Sequence, residues 1–330
     1  MTWNGTAVLN RVRRLVNPVG STCYVRGGLG EHAGAVADGV MCGVLQRVRY
    51  GLMRGAFRKV LCFMVMGPTH AMSGAAVGLV VAELLPLDWG GPTSTAETLT
   101  FAGVCAGAAL LPDLDTGQST VSRSFGPLSK ALAKGIDAIS VTFYRITKGK
   151  KDGKRRGGHR TLTHTALFAA GLGAGVSALV VQFGKPAIII TLFFCLGLAI
   201  RGLAGELAKE KGWLAVSAVA LVLSALTWQW YPSEAGSTGL GVAVALGCAT
   251  HCLGDAITKE GVPFLAPLIP LGGKRWWEQR LPSFLSIRAG GNLEKILIGP
   301  ALTVLTAWLI ISAFDGAPEA IYAVFAPMVQ

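Results

Sequence analysis

The side chains best suited to chemistry in this sequence are histidines and aspartates in short polar motifs at the ends of apolar segments. These residues are His70, Asp113, Asp115, His159, His164, His251 and Asp255. An imidazole or a carboxylate at the mouth of an apolar helix is costly to bury unless it binds a partner. Imidazole nitrogens and carboxylate oxygens are ligands of zinc, manganese and iron. We therefore predict that these residues bind a divalent metal ion, with zinc as the first choice and manganese or iron as the alternatives.

The spacing within three of these motifs favours shared ligation. In LLPDLD, Pro112 ends an apolar run and should leave Asp113 and Asp115 in an extended turn, where both carboxylates point to one side and can share a cation. His251 and Asp255 are at positions i and i+4, which places them on one helix face about a turn apart. In HRTLTH, one histidine precedes an apolar run and the other lies in its first turn, so both can reach one pocket.

A fifth motif, SIRAGGNLEKIL, offers candidate catalytic groups immediately before the last apolar run. Arg288 is a candidate to clamp a phosphate or to pair with a ligand carboxylate, because a guanidinium binds both. Glu294 is a candidate to orient a ligand histidine or to act as a general base, with helix capping as the alternative. An aspartate of the ligand motifs is the other candidate proton acceptor. We predict Glu294, Arg288 and Asp115 as the catalytic residues.

The composition indicates which elements must position these residues. Of the 330 residues, 52% are hydrophobic and 15% are charged, and the mean hydropathy is +0.52. Such a chain is too apolar for a soluble domain, so we predict an all-α, polytopic membrane bundle with about seven transmembrane helices. The predicted spans are Ala71–Leu87, Leu99–Leu111, Thr165–Phe183, Ala187–Leu203, Trp213–Trp230, Leu240–Leu253 and Ile296–Phe314.

The distribution of lysine and arginine predicts the orientation of the bundle. The stretch between Asp113 and Arg160 is rich in both residues, whereas the loop Asp88–Thr98 has neither. Because cytoplasmic loops carry an excess of positive charge, we predict that the first is cytoplasmic and the second is external. The same reading of the other loops places the N-terminus in the cytoplasm and every candidate ligand at the cytoplasmic end of its span. This agreement favours one shared pocket at the inner membrane surface.

The two ends of the chain differ from its apolar centre. Residues 1–66 are predicted to be a basic cytoplasmic extension, either an amphipathic helix on anionic lipid or a disordered segment. Residues 67–316 are predicted to form the membrane-embedded domain, and residues 317–330 a C-terminal tail.

The order of the motifs resembles that of the YdjM-like family of bacterial inner-membrane proteins. The matching segments are THxxxG from Thr69 to Gly74, LLPDLD, HRTLTH, HxxxDxxTxxGVP from His251 to Pro263, and SIRAGGNLE. The resemblance spans about His70 to Phe314, and it implies an inner-membrane protein with metal-dependent hydrolase chemistry. The sequence departs from the family pattern in its N-terminal extension and in a longer, more basic loop before His159.

We therefore predict a membrane-bound, metal-dependent hydrolase that acts on a lipid or another phosphoester, with membrane lipids as its partners. A divalent-metal transporter is an alternative, although its ligands would normally lie near the membrane midplane, and no internal repeat is visible. A membrane anchor that binds a regulator or nucleic acid through residues 145–160 is a third possibility. That reading explains the basic charge but not the histidines, so nucleic acid is not an expected partner. The sequence does not determine the oligomeric state.

Overall fold

The computed structural model describes residues 66–117, 119, 121–153, 157–228 and 236–314. The predicted basic extension, apart from Met66, and the predicted tail 317–330 lie outside these residues, so both stay predictions. The described residues are helical, with no strands and only isolated bridges between loop segments. This confirms the predicted all-α class.

The bundle is built from eight described α-helices. They are α1 (Met66–Leu84), α2 (Thr95–Ala108), α3 (Pro127–Thr147), α4 (Ala166–Phe183), α5 (Lys185–Leu203), α6 (Gly205–Thr227), α7 (Gly236–Ala256) and α8 (Gly299–Ser312). A π-helical segment, Glu294–Ile298, leads directly into α8. Two short 3-10 helices, Leu111–Asp115 and Leu162–His164, carry ligand motifs next to α2 and α4.

Six of the predicted spans are confirmed as helices long and apolar enough to cross a membrane. Their bounds are Thr95–Asp115, Ala166–Phe183, Lys185–Leu203, Glu210–Thr227, Thr238–Ala256 and Glu294–Ser312. The first predicted span, which lies mostly in α1 and extends three residues beyond its end, is not among them, because the early turns of this helix carry Thr69, His70 and Ser73. The predicted spans Leu99–Leu111 and Leu240–Leu253 correspond to longer helices, which run on directly into the ligand motifs.

Close helix packing brings the site-bearing ends of the helices together. A Cβ on Gly107 of α2 would overlap the backbone of Cys195 in α5, and a Cβ on Gly247 of α7 would overlap the backbone of Cys105 in α2. Small residues at such crossings let membrane helices approach closely, and van der Waals contact then stabilises the bundle. The starts of α1 and α4 thereby meet the ends of α2 and α7.

Helix α3 was not predicted, because the sequence between Asp113 and Arg160 was interpreted as a basic loop. It is amphipathic, and its buried face includes Ala133, Val141 and Tyr144. Its exposed face carries a second apolar stripe formed by Leu128, Leu132, Ile139 and Ile146. These four positions recur at helical spacing, so one side of α3 contacts the bundle and another apolar side is left uncovered by the described residues.

The orientation of the bundle in the membrane is testable by labelling. With the predicted topology, a cysteine introduced as Asp88→Cys should react with a membrane-impermeant maleimide added from outside the inner membrane. A cysteine introduced as Lys150→Cys should react only after the membrane is opened. Both positions are exposed, and the four cysteines of the described region are buried, so the unsubstituted protein provides the background. The reverse labelling pattern would refute the orientation.

Candidate metal centre

His251, near the end of α7, is fixed in one protonation form by a backbone contact. Its Nδ1 lies 2.8 Å from the carbonyl oxygen of Ala109, at the end of α2. A carbonyl oxygen can only accept, so Nδ1 holds the proton and donates it. The Nε2 atom therefore carries a lone pair, and the ring is fully buried. This is how a backbone carbonyl orients a metal-binding histidine.

His164, immediately before α4, is fixed in the same form by a side-chain contact. The Thr163 hydroxyl donates to Oδ2 of Asp115 over 2.6 Å, so its oxygen is left to accept from Nδ1 of His164 at 3.0 Å. The His164 Nε2 atom thus also carries a lone pair. Burial lowers the pKa of His164, which favours the neutral imidazole that binds metals.

The two lone pairs face each other. Nε2 of His164 and Nε2 of His251 lie 3.3 Å apart. Neither atom holds a proton when both rings are neutral, so the contact is repulsive unless a cation lies beside it. Two buried imidazoles that are held in this way by partners on their far sides could bind a cation between them.

Two carboxylate oxygens complete the set around these nitrogens. Oδ1 of Asp113 lies 3.8 Å from Nε2 of His164 and 3.7 Å from Nε2 of His251. Oδ2 of Asp255 lies 3.6 Å and 3.8 Å from the same two nitrogens. A tetrahedral ion with ligands at about 2.0–2.2 Å has ligand atoms roughly 3.3–3.6 Å apart. The ligand atoms of Asp113, His164 and His251 all lie within 4.8 Å of one another, close enough to share one divalent cation, and Asp255 lies beside both nitrogens.

Among these four side chains, solvent mainly reaches Asp113. The side chain of Asp113 is 22% exposed, whereas those of His164, His251 and Asp255 are exposed by 2% or less. Asp113 lies in the 3-10 helix that follows α2, and the other three residues are held within or beside the helix bundle. Asp113 is consequently the carboxylate with the most room to change its position.

Asp115 lies on the Nδ1 side of His164. It does not point at the two Nε2 atoms and the oxygens of Asp113 and Asp255. The predicted extended turn is a 3-10 helix, so Asp113 and Asp115 approach opposite ring nitrogens of His164 and do not share one cation. Oδ1 of Asp115 contacts Nδ1 of His159 at 2.9 Å. This hydrogen bond raises the pKa of His159, whose side chain is nearly half exposed. His159 therefore contacts Asp115 and the edge of the His164 ring, with the ring centroids 5.3 Å apart, and it does not reach the two facing nitrogens.

Arg160 and Thr163 were not predicted as site residues, although both lie within HRTLTH. The Arg160 guanidinium lies 2.9 Å from Oδ2 of Asp255 and also pairs with Glu260 at 3.1 Å. It partly balances the buried negative charge of Asp255. The only available signal was an arginine and a threonine between the two histidines of one motif.

The remaining predicted residues lie on one flank of the centre or away from it. The ring of His70 stacks on that of His251, with centroids 4.0 Å apart. Glu294 is buried, and it accepts a hydrogen bond from the Gly290 N–H over 2.6 Å. Arg288 is exposed, and among the described residues its guanidinium has no ion pair with the centre.

The seven predicted ligands nevertheless form one continuous network, in which each side chain lies within 4 Å of another member or of Thr163.

The segments that form this network match a known family. A model of the YdjM inner membrane protein family matches residues 64–205 and 212–322. The chain belongs to this family. No curated protein and no solved structure matches it.

Membership of the YdjM family confirms the resemblance drawn from the motifs. It identifies the chain as an inner membrane protein, in agreement with the six apolar helices of the described region. Every residue of the centre lies within the matched segments. The match begins close to the predicted start of the membrane domain at residue 67, although the domain boundaries themselves stay predictions.

Proposed function

We propose that this YdjM-family protein is a membrane-bound, metal-dependent hydrolase whose ion is held by Asp113, His164, His251 and Asp255. The observation that carries the proposal is the 3.3 Å approach of two imidazole nitrogens whose protons are on the opposite sides of their rings. Two carboxylate oxygens within 3.8 Å of these nitrogens supply the negative charge that a divalent ion requires.

A divalent ion bound here would supply Lewis acidity, which makes water a stronger nucleophile near neutral pH and polarises a phosphoryl or carbonyl group. The residues of the chain orient the ligand side chains and neutralise their charge. The contacts from Ala109 and Thr163 hold the two imidazoles in their ligand form, and Arg160 holds Asp255. Burial of both histidines excludes bulk water from that side of the centre.

Two nitrogen and two oxygen donors suit zinc, with manganese or iron as the alternatives. A four-ligand tetrahedral site is saturated, so catalysis requires a fifth ligand position or the departure of one carboxylate. Asp113 is the candidate to move, because its side chain is the most exposed of the four. The exposure of Asp113 also distinguishes this arrangement from a fully closed structural site.

A lipid or another phosphoester is the proposed substrate class, and membrane lipids are the proposed partners. The centre lies at the ends of membrane-length helices, where a headgroup would be within reach. The exposed apolar stripe of α3 and the exposed basic residues Arg145, Lys148 and Lys150 lie in the segment between Asp115 and His159. Each basic residue close to an anionic membrane contributes about 1 kcal/mol of attraction.

The deciding experiment compares hydrolysis with ion transport by the same purified protein. We expect protein reloaded with Zn²⁺ or Mn²⁺ to hydrolyse at least one member of a panel containing phosphatidic acid, phosphatidylcholine and soluble phosphoesters. Chelation should remove the activity, and added metal should restore it. No hydrolysis of the panel, together with a divalent-metal flux in proteoliposomes, would show a transporter instead.

A basic-residue variant provides the matched control. Lys148→Gln combined with Lys150→Gln removes two exposed charges outside the centre. We expect it to retain bound metal and turnover of a soluble phosphoester, while its activity on anionic vesicles falls. If the wild-type protein binds no metal but binds a regulator through this segment, the result would instead support the anchor function.

A further inference from the structure

Two segments of the chain leave the membrane helices and return to them beside the candidate metal centre. The first joins the span that ends at Asp115 to the span that begins at Ala166, and the second joins the spans that end at Ala256 and begin at Glu294. In neither segment do the described residues form a helix that is long and apolar enough to cross a membrane. Each segment therefore returns to the membrane surface that it left, and the centre, which is built at these span ends, places both at the same surface.

Helix α3, in the first segment, presents an apolar stripe to its surroundings. Leu128, Leu132, Ile139 and Ile146 are exposed by between 41% and 77%. With 3.6 residues per turn, the four positions lie within about 40° of one another around the helix axis. The face of α3 that packs against the rest of the protein, which includes Ala133, is a different one. A continuous apolar stripe of this kind is costly in water, so it needs an apolar partner beyond the described residues.

The exposed charges of α3 are all positive. Lys130, Lys134 and Arg145 are exposed, and the last two lie on one flank of the stripe, roughly 120° around the helix from its middle. Asp137, the one acidic residue of α3, is partly buried, and its Oδ1 atom lies beside the backbone of Gly158. An apolar stripe bordered by exposed lysine and arginine is typical of a helix that lies in the membrane–water interface.

The second segment combines exposed apolar and basic side chains in a loop. Its large apolar side chains that are more than half exposed are Leu268, Leu271, Phe284 and Leu285. The exposed residues Lys274, Arg275 and Arg280 lie among them in the chain. The carboxylate of Asp152, just after α3, accepts hydrogen bonds from the backbone N–H groups of Arg275 and Trp276, each over 3.0 Å. The two segments are therefore held together.

We infer that α3 lies in the plane of the membrane, with its stripe among the acyl chains of the leaflet beside the centre and with Lys130, Lys134 and Arg145 on the headgroups of anionic lipids. The segment begins and ends at this leaflet, the stripe requires apolar surroundings, and the exposed charges complement anionic headgroups. A second copy of the chain is a poorer occupant, because pairing two stripes would bring two basic flanks together. The inference concerns recognition of the membrane and does not depend on the proposed hydrolase function.

The first test measures the depth of a spin label on α3 in vesicles of phosphatidylcholine mixed with phosphatidylglycerol. The label is attached at Ile139→Cys in the full-length protein, with Cys23, Cys42 and Cys62 replaced by serine. We expect this label to collide more often with oxygen, which dissolves in lipid, than with a water-soluble nickel chelate, at a depth of roughly 5–10 Å below the headgroups. The same label at Lys134→Cys, on the basic flank of the same helix, is the matched control and should show the reverse preference.

The second test measures which lipids the protein retains. Native mass spectrometry of wild-type protein released from the mixed vesicles should show phosphatidylglycerol retained in preference to phosphatidylcholine. Lys134→Gln combined with Arg145→Gln should lower this preference at least about 5-fold, because each basic residue near the surface attracts anionic lipid. Lys185→Gln is the control, since Lys185 is exposed at the turn between α4 and α5, at the opposite ends of the spans, and should leave the preference unchanged.

Leu132→Cys provides a second label position on the stripe in case Ile139→Cys does not fold. A label that collides mainly with the nickel chelate would overturn the inference, because the stripe would then face water. A label shielded from both agents would also overturn it, because protein would then cover the stripe. An unchanged lipid preference in the Lys134→Gln, Arg145→Gln variant would overturn the assignment of these two residues to anionic headgroups.

Discussion

Replacing His164 with alanine is expected to remove the ion from the centre while the helices remain inserted in the membrane. The substitution deletes one of two facing nitrogen ligands, whereas the helix packing rests on apolar contacts elsewhere. We expect metal content to fall at least 10-fold in elemental analysis of the purified variant, with loss of metal-dependent hydrolysis. Unchanged elution in gel filtration should show that the bundle is intact.

His159→Ala is the matched control for this substitution. Both histidines belong to HRTLTH and both were predicted as ligands, but His159 contacts Asp115 and its side chain is nearly half exposed. Its removal should leave most of the metal bound. If His159→Ala loses the metal and His164→Ala keeps it, the centre described here is wrong.

Thr163→Val is expected to weaken metal binding by about 10- to 100-fold, the range typical for loss of a group that orients a ligand histidine. Valine keeps the shape of the side chain but removes the hydroxyl that connects Asp115 to His164. Both Nδ1 of His164 and Oδ2 of Asp115 would then lose a buried partner. Competition with a chelator of known affinity measures the change.

Thr163→Ser tests whether the hydroxyl itself is responsible. Serine can make the same two hydrogen bonds, so its metal affinity should stay close to that of the wild type. Equal affinities of the valine and serine variants would show that Thr163 does not orient His164. The outcome would leave the facing nitrogens as ligands but would remove the proposed role of Asp115.

The amino-acid sequence determined the class of the protein and the location of its polar groups. Long apolar runs bounded by polar motifs predict membrane helices, because burial of apolar side chains in lipid depends mainly on local composition. The i and i+4 spacing of His251 and Asp255 placed both on one helix face, as the structure has them. The first predicted span is largely helical in the structure, but α1 begins with a polar turn, which lowers its mean hydropathy.

The amphipathic helix α3 was not predicted, because its basic composition was given more weight than its periodicity. Its charged residues are interspersed with an apolar stripe at helical spacing, but the overall excess of lysine and arginine in this stretch was interpreted as loop. Periodicity within a basic segment was the available signal. The contact of its buried face with the rest of the protein involves residues distant in sequence, such as Trp276 against Tyr144.

The role of each polar residue was decided only by the tertiary structure. The sequence placed Asp113 and Asp115 together, but a 3-10 helix directs them to opposite nitrogens of His164. The protonation form of His251 depends on the carbonyl of Ala109, which is 142 positions away in the chain. Which ring nitrogen keeps a lone pair depends on the partner of the other nitrogen, and that partner comes from another helix. Sequence spacing therefore identified the candidate ligands, whereas helix packing determined which of them face the same point.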